Sequence, residues 1–309
     1  MPAFKSILVD VDATATAHPA LERAIRLARS IGATLTVTDV VTVPPHARHY
    51  LPPALEEDIV RERRQQLARV ADAVSDVRAE SKLLLGRPAT VLIQEVLRSN
   101  HDLLIRSHAR ELAASGPKPF GAVDMELLRK CPCPVLLTRH GSPASRPQIV
   151  AAVNASTDEA EEQALNETIV EVALLVASRL EANPPRLLQA WAPFGEKMIR
   201  SHSADDQFAT YVEGARQRAA SDLTRLARSF EGRLAETQFT LRRGEPAEVI
   251  PEFVVAEGID LVVMGTVARA GLAGMLIGNT AERVLRKLPC SVLTVKPSGF
   301  VSPVRLDPS

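Results

Sequence analysis

No apolar run in this chain approaches the roughly 20 residues of a membrane-spanning helix, and neither sign of charge is in excess. The 37 basic and 37 acidic residues cancel, and the pI is about 7.1. That balance excludes a general nucleic-acid or membrane-surface binder, which carries a basic excess. Cysteine is scarce, with Cys131, Cys133 and Cys290 making an odd count. Cys131-Pro132-Cys133 is not a zinc spacing, and no second ligand pair accompanies it. Buried, reduced thiols in the cytosol are expected, and no metal site. The stretch from Met1 to Asp10 has no long apolar core before a cleavage site, so no signal peptide is expected. A Gly-x-Ser-x-Gly elbow, a Walker loop and a His-Glu-x-x-His helix are all missing. No nucleophile–base pair is fixed by spacing, so the expected role is non-enzymatic.

What is present is a duplication. Leu127–Arg139 (LLRKCPCPVLLTR) returns as Val284–Lys296 (VLRKLPCSVLTVK). Gly86–Ile93 (GRPATVLI) returns as Gly244–Pro251 (GEPAEVIP), and His101–Ile105 (HDLLI) as Ile259–Val263 (IDLVV). A period this long is a repeated domain, because solenoid repeats run about 20–50 residues. The 309 residues suit two domains of roughly 150 each. The expected division is residues 1–140, a linker at 141–147 rich in small and polar residues, and 148–309.

Each copy alternates strand and helix. Phe4–Asp12 is an apolar run closed by acids, as for a strand buried on both faces. Pro19–Ile31 has its apolar residues at helical spacing and ends at Gly32. Thr34–Val43 is β-branched, and a long charged amphipathic helix follows at Leu55–Val77. The second copy restarts with strand Gln148–Val153, helix Glu167–Leu180, strand Arg186–Trp191 and a helical region Asp205–Phe230. Five strands alternating with helices predict an α/β fold of two tandem five-stranded parallel doubly wound (Rossmann-like) domains. Ligands of such sheets bind beyond the carboxyl ends of the strands, here the first, second and fourth of each copy.

In the second copy the fourth strand ends in Met264-Gly265-Thr266, and a loop follows with Ala268, Arg269 and Gly278. A helix is predicted from about Thr280. Small residues let a backbone approach a ligand, and free N–H groups at a helix start favour an anion such as phosphate. Asn279 or Thr280 would cap that helix and touch the ligand. The same glycines would equally serve tight turns. Trp191 ends the predicted second strand, either lining the pocket or filling the core. In the first copy Asp10 and Asp12 share a strand face. A cation between them is one reading, and pairing with a base or capping a helix is the preferred one.

Gly265-x-x-Ala268, followed by Gly278-Asn279, and the closing strand Leu288-Pro-Cys-Ser-Val-Leu293 resemble a universal stress protein domain. So do Ala152-Val-Asn154, Asn166-Glu167, Met264-Gly-Thr-Val267 and Gly278-Asn-Thr-Ala-Glu282, and the resemblance covers essentially the whole tandem chain. Nucleotide-binding members of that family carry Gly-x2-Gly-x9-Gly-Ser/Thr, which cradles ATP phosphates and ribose. Gly265 and Gly278 stand at its first and third glycines, Ala268 at the second, and Asn279 at the Ser/Thr. The resemblance also implies an adenosine-contacting aspartate at the end of the first strand. Asp12 stands there in the first copy, and Asn154, followed by Ala155, in the second. The first copy has Arg106 in place of the first glycine and keeps only Gly121-Ala122 of the last pair. Its site is therefore expected to be vestigial (Asp12, Arg106, Gly121), with Arg106 filling the phosphate region or pairing with Asp10 or Asp12.

The implied protein is a cytoplasmic stress-response ligand-binding or signalling protein. Its second domain would hold ATP or another phosphorylated metabolite. A lipid-like ligand walled by Leu272, Met275, Leu276 and Ile277 is the alternative, as is an interaction module with no small ligand. The family also implies that the closing strands Val135–Arg139 and Ser291–Lys296 pair within the chain and cover both sheet edges. A homodimer stays open.

Overall fold

The computed structural model describes residues 4–44, 46–108, 119–139, 146–230, 232–234, 238–266 and 278–306. In the first half, β1 (Ser6–Asp10), α1 (Pro19–Ile31), β2 (Thr34–Val41), α2 (Pro53–Asp72) and β3 (Ala79–Leu85) lead to α3 (Pro88–Ser99), β4 (Leu103–Ser107), α4 (Ala122–Lys130) and β5 (Val135–Thr138). The second half repeats them as β6 (Ile149–Ala152), α5 (Ala160–Arg179), β7 (Arg186–Trp191), α6 (Glu196–His202), α7 (Asp205–Arg228), β8 (Phe239–Arg243), α8 (Pro246–Ala256), β9 (Leu261–Gly265), α9 (Asn279–Lys287) and β10 (Ser291–Val295). Two differences from the sequence reading stand out. Helix α5 begins at Ala160 rather than Glu167, its first turn carrying Glu161 and Glu162 in place of apolar residues. The short α6 was not anticipated, and none of its residues is buried, so no apolar stripe marks it.

All ten strands join one sheet in the order β3-β2-β1-β4-β5-β10-β9-β6-β7-β8. Every neighbour pair is parallel except β5 with β10, which run antiparallel with Leu136 opposite Leu293. The two five-stranded units thus meet edge to edge inside the chain, as the closing-strand expectation required. Each unit keeps a crevice where chain order reverses, between β1 and β4 and between β6 and β9.

Strand alternation divides the core between the two sheet faces. Ile7, Val9, Ile149 and Ala151 face a cluster with α1, α2, α5 and α7; Leu8, Val150 and Val262 face one with α3, α4, α8 and α9. Both clusters run through both halves, so the seam is buried on each side of the sheet. Each fully buried Leu, Ile or Val contributes about 1.5–3 kcal/mol relative to exposure. Among the described residues no helix is long and apolar enough to cross a membrane.

Candidate functional site

The sheet register fixes which residues of the two halves are equivalent. Ser107 pairs with Thr138 on β5, and Gly265 with Val295 on β10. Thr138 and Val295 are matching positions of the repeat, so Ser107 stands for Gly265 and Arg106 for Met264. This corrects the expectation that Arg106 replaces the glycine; the one-residue change in the repeat offset lies in the loop between these strands and the last helix. By the same logic Asp10 matches Ala152, Asp12 matches Asn154, and Asp39 matches Gln189.

At the crevice of the first half the charged groups hold one another. The Arg106 guanidinium pairs with Asp10 and lies 3.1 Å from Asp124. The other Asp124 oxygen accepts from the Gly121 N–H at 3.1 Å and meets His108 Nδ1 at 2.7 Å. Burial pushes the Asp124 carboxyl up, but the His108 hydrogen bond and the Arg106 charge outweigh it and hold the group below its ordinary value. Asp124 is the third residue of α4, so a carboxylate from the chain itself sits where that helix N-terminus would bind an anion. Nearby, Arg63 bridges Asp12 at 3.0 Å and the buried Asp39 at 2.9 Å. Thr14 and Arg63 together hold the exposed Asp12 carboxyl below its ordinary value. Asp10 and Asp12 are therefore paired with bases. A cleft of about 670 Å³ remains above them. Its volume exceeds that of the second-half pocket, but both its guanidiniums are held between carboxylates.

The second half lacks these charges. A pocket of about 330 Å³ opens at the carboxyl ends of β6, β7 and β9, against the start of α9. Leu165, Ile169, Ile250, Met264 and Val284 form apolar walls, with Asn154, Glu162, Asn166, Thr266 and Thr280 as polar groups. No Lys or Arg lines it among the described residues. Asn166 on α5 clasps the strand end: its Oδ1 accepts from the Asn154 N–H at 3.0 Å, and its Nδ2 donates to the Asn154 carbonyl at 2.8 Å. The Gly278 N–H donates to the Thr266 carbonyl at 2.9 Å and seats α9 beside the end of β9. Among the described residues no side chain caps helix α9, and Ala281 occupies the position that Asp124 holds in α4.

Of the residues expected at this site, Asn154, Met264, Gly265, Thr266, Gly278 and Thr280 line the pocket together. Ala155 is buried, and neither it, Asn279 nor Trp191 is among the lining residues. Alternation along β7 gives the wall to Ala190 and turns Trp191 away, where Arg243 lies 6.0 Å from its ring. Ala268, Arg269, Leu272, Met275, Leu276 and Ile277 fall outside the described residues. Sequence reasoning missed Glu162, Leu165, Asn166 and Ile250, and in the first half Asp39, Arg63 and Asp124. The thiols are buried, Cys131 and Cys133 with sulfurs 3.5 Å apart, and burial pushes Cys290 up to about 12.

The model described as the universal stress protein family matches residues 3–139 and 144–296. Universal stress protein E of Salmonella typhi is 30% identical over 324 residues, spanning 99% of each chain. Universal stress protein E of Photorhabdus laumondii subsp. laumondii is 28% identical over 317 residues, again spanning 99% of each. A putative universal stress protein from Pseudomonas aeruginosa UCBPP-PA14 has a similar solved structure, at TM-score 0.71 and 24% identity, covering 96% of this chain and 94% of that one.

Proposed function

The chain belongs to the universal stress protein family, and on that premise we propose that it is a non-enzymatic, cytoplasmic stress-response protein whose second half binds one small molecule. The observation that carries this reading is the contrast between the two helix starts. In the first half Asp124 takes the N-terminus of α4, whereas in the second Ala281 stands at that position in α9, beside a pocket, and no described side chain caps the helix. The ligand that fits has an apolar body against Leu165, Ile169, Ile250 and Val284 and an anionic or acceptor end at α9. A nucleoside monophosphate and a lipid-like acid share that chemistry. An ATP-like nucleotide is the second reading, favoured by the spacing of Gly265 and Gly278. Among the described lining residues there is no Lys or Arg to meet a triphosphate.

Thermal unfolding with ATP, AMP or a long-chain fatty acid separates these readings. At about a hundred times its Kd, a ligand adds about 2.7 kcal/mol to the native state. AMP or the fatty acid is expected to raise Tm more than ATP, and the rise is expected to vanish in Gly265→Arg. A shift with ATP alone selects the second reading. No shift with any of the three favours an interaction module.

A further inference from the structure

Lys296, just beyond β10, is only 8% exposed. Its Nζ donates to Thr266 Oγ1 at 2.6 Å in the second half. It also donates to two carbonyls of the first half, those of Leu128 and, at 3.3 Å, Arg129. Both carbonyls lie in the last turn of α4, the negative end of that helix. The three donors of the ammonium are thus all placed, two in one half and one in the other. The Phe300 ring lies 4.8 Å from the same nitrogen. Further ties run alongside. Arg129 pairs with Glu282 at 2.9 Å, and Gln94 Nε2 donates to the Arg305 carbonyl at 3.0 Å.

Among the described residues, the side chain of the matching first-half residue, Arg139, has no hydrogen bonds of this kind. Its Nε and Nη2 have no hydrogen-bond partner, and its guanidinium stacks 4.6 Å from the Phe120 ring. Thr266 lines the second-half pocket, and its oxygen accepts from Lys296, so its own hydrogen is directed away from the ammonium.

We infer that Lys296 is a positioning residue for the second-half pocket, held by the C-terminal end of α4 so that the first half sets the orientation of the Thr266 hydroxyl. The vestigial half then serves the site as its support. This inference rests on the second-half pocket being the ligand site, so its test uses no ligand.

Amide hydrogen exchange and ¹H–¹⁵N spectra of the intact chain provide that test, with Lys296→Met and Thr266→Val. Lys296→Met is expected to speed exchange about tenfold or more at two places, Thr266 with Gly278 and the end of α4 at Lys130 and Cys131, and to spare β2 and β3. Thr266→Val is expected to shift the slowly exchanging Lys296 ammonium signal while α4 exchanges as in the wild type. A residue that merely fills space would leave that signal in place. Should Lys296→Met fail to fold, Thr266→Val decides alone. Faster exchange on only one side of the seam, or an unshifted ammonium signal in Thr266→Val, overturns the inference. Failure of the ligand reading shows separately, as an empty pocket with this exchange pattern intact.

Discussion

Gly265→Ala is expected to destabilise the native chain by about 1–3 kcal/mol, seen as a lower midpoint of chemical denaturation. A Cβ at this position would lie 2.8 Å from Leu165 Cδ2 and 3.3 Å from its Cγ. Leu165 is buried on α5, and Ile169 Cδ1 lies 3.6 Å from the same Cβ position, so the added methyl meets two side chains of that helix. The glycine is thus favoured by helix packing alone. Leu165→Ala removes the obstacle. Adding Gly265→Ala to that background is expected to cost less than in the wild type, with a coupling of about 0.5–3 kcal/mol. Equal costs in the two backgrounds would mean that the close approach is relieved by a shift of the backbone.

Asp124→Ala is expected to cost about 3 kcal/mol, the low end of the range for breaking a buried pair. The carboxylate serves Arg106, His108 and the Gly121 N–H at once. Arg106 retains Asp10, which keeps the loss from being larger. The pH dependence follows from the sign of the shift. The folded carboxyl is held below its ordinary 3.8, so its stabilisation is complete above that value and is lost as pH falls through the lower folded value. Acid titration of the wild type should therefore show a loss of stability below about 3.8 that is smaller in Asp124→Ala. Parallel curves for the two proteins would remove Asp124 from the account.

The fold was legible because the chain repeats itself. The apolar run around Ile7–Val9, the helical spacing of Pro19–Ile31 and the closing strands each occur in an order that only alternating parallel units satisfy. The antiparallel β5–β10 seam came from the family resemblance, since no local feature of Val135–Thr138 distinguishes an edge partner within the chain from one outside it.

The site was only partly legible. Gly265, Gly278 and Asn154 came from the family resemblance, and all three line the pocket. The sequence reading placed Arg106 on the glycine, although the return of His101–Ile105 as Ile259–Val263 already sets it against Met264, in agreement with the ladder to Leu137 and Thr138. Asp124 left a usable signal: an acid at the third helical position after Gly121 is a capping pattern. Arg63 and Lys296 left none. Their partners lie 24 residues or more away, at Asp39, or beyond the seam, at Leu128 and Arg129. Leu165 and Asn166 read as ordinary residues of a helix, and only tertiary packing brings them to the strand ends.

The central claim is that the second half holds a ligand, while the charged groups of the first-half site are held by one another. Mass spectrometry of the small molecules released on denaturing purified protein tests it most directly, comparing the wild type with Gly265→Arg and Asp12→Ala. The account predicts a near-stoichiometric molecule with an apolar body and an anionic or acceptor group from the wild type and Asp12→Ala, and none from Gly265→Arg. The same yield from Gly265→Arg, a molecule lost only in Asp12→Ala, or an empty wild type whose melting ignores ATP, AMP and fatty acid would contradict it.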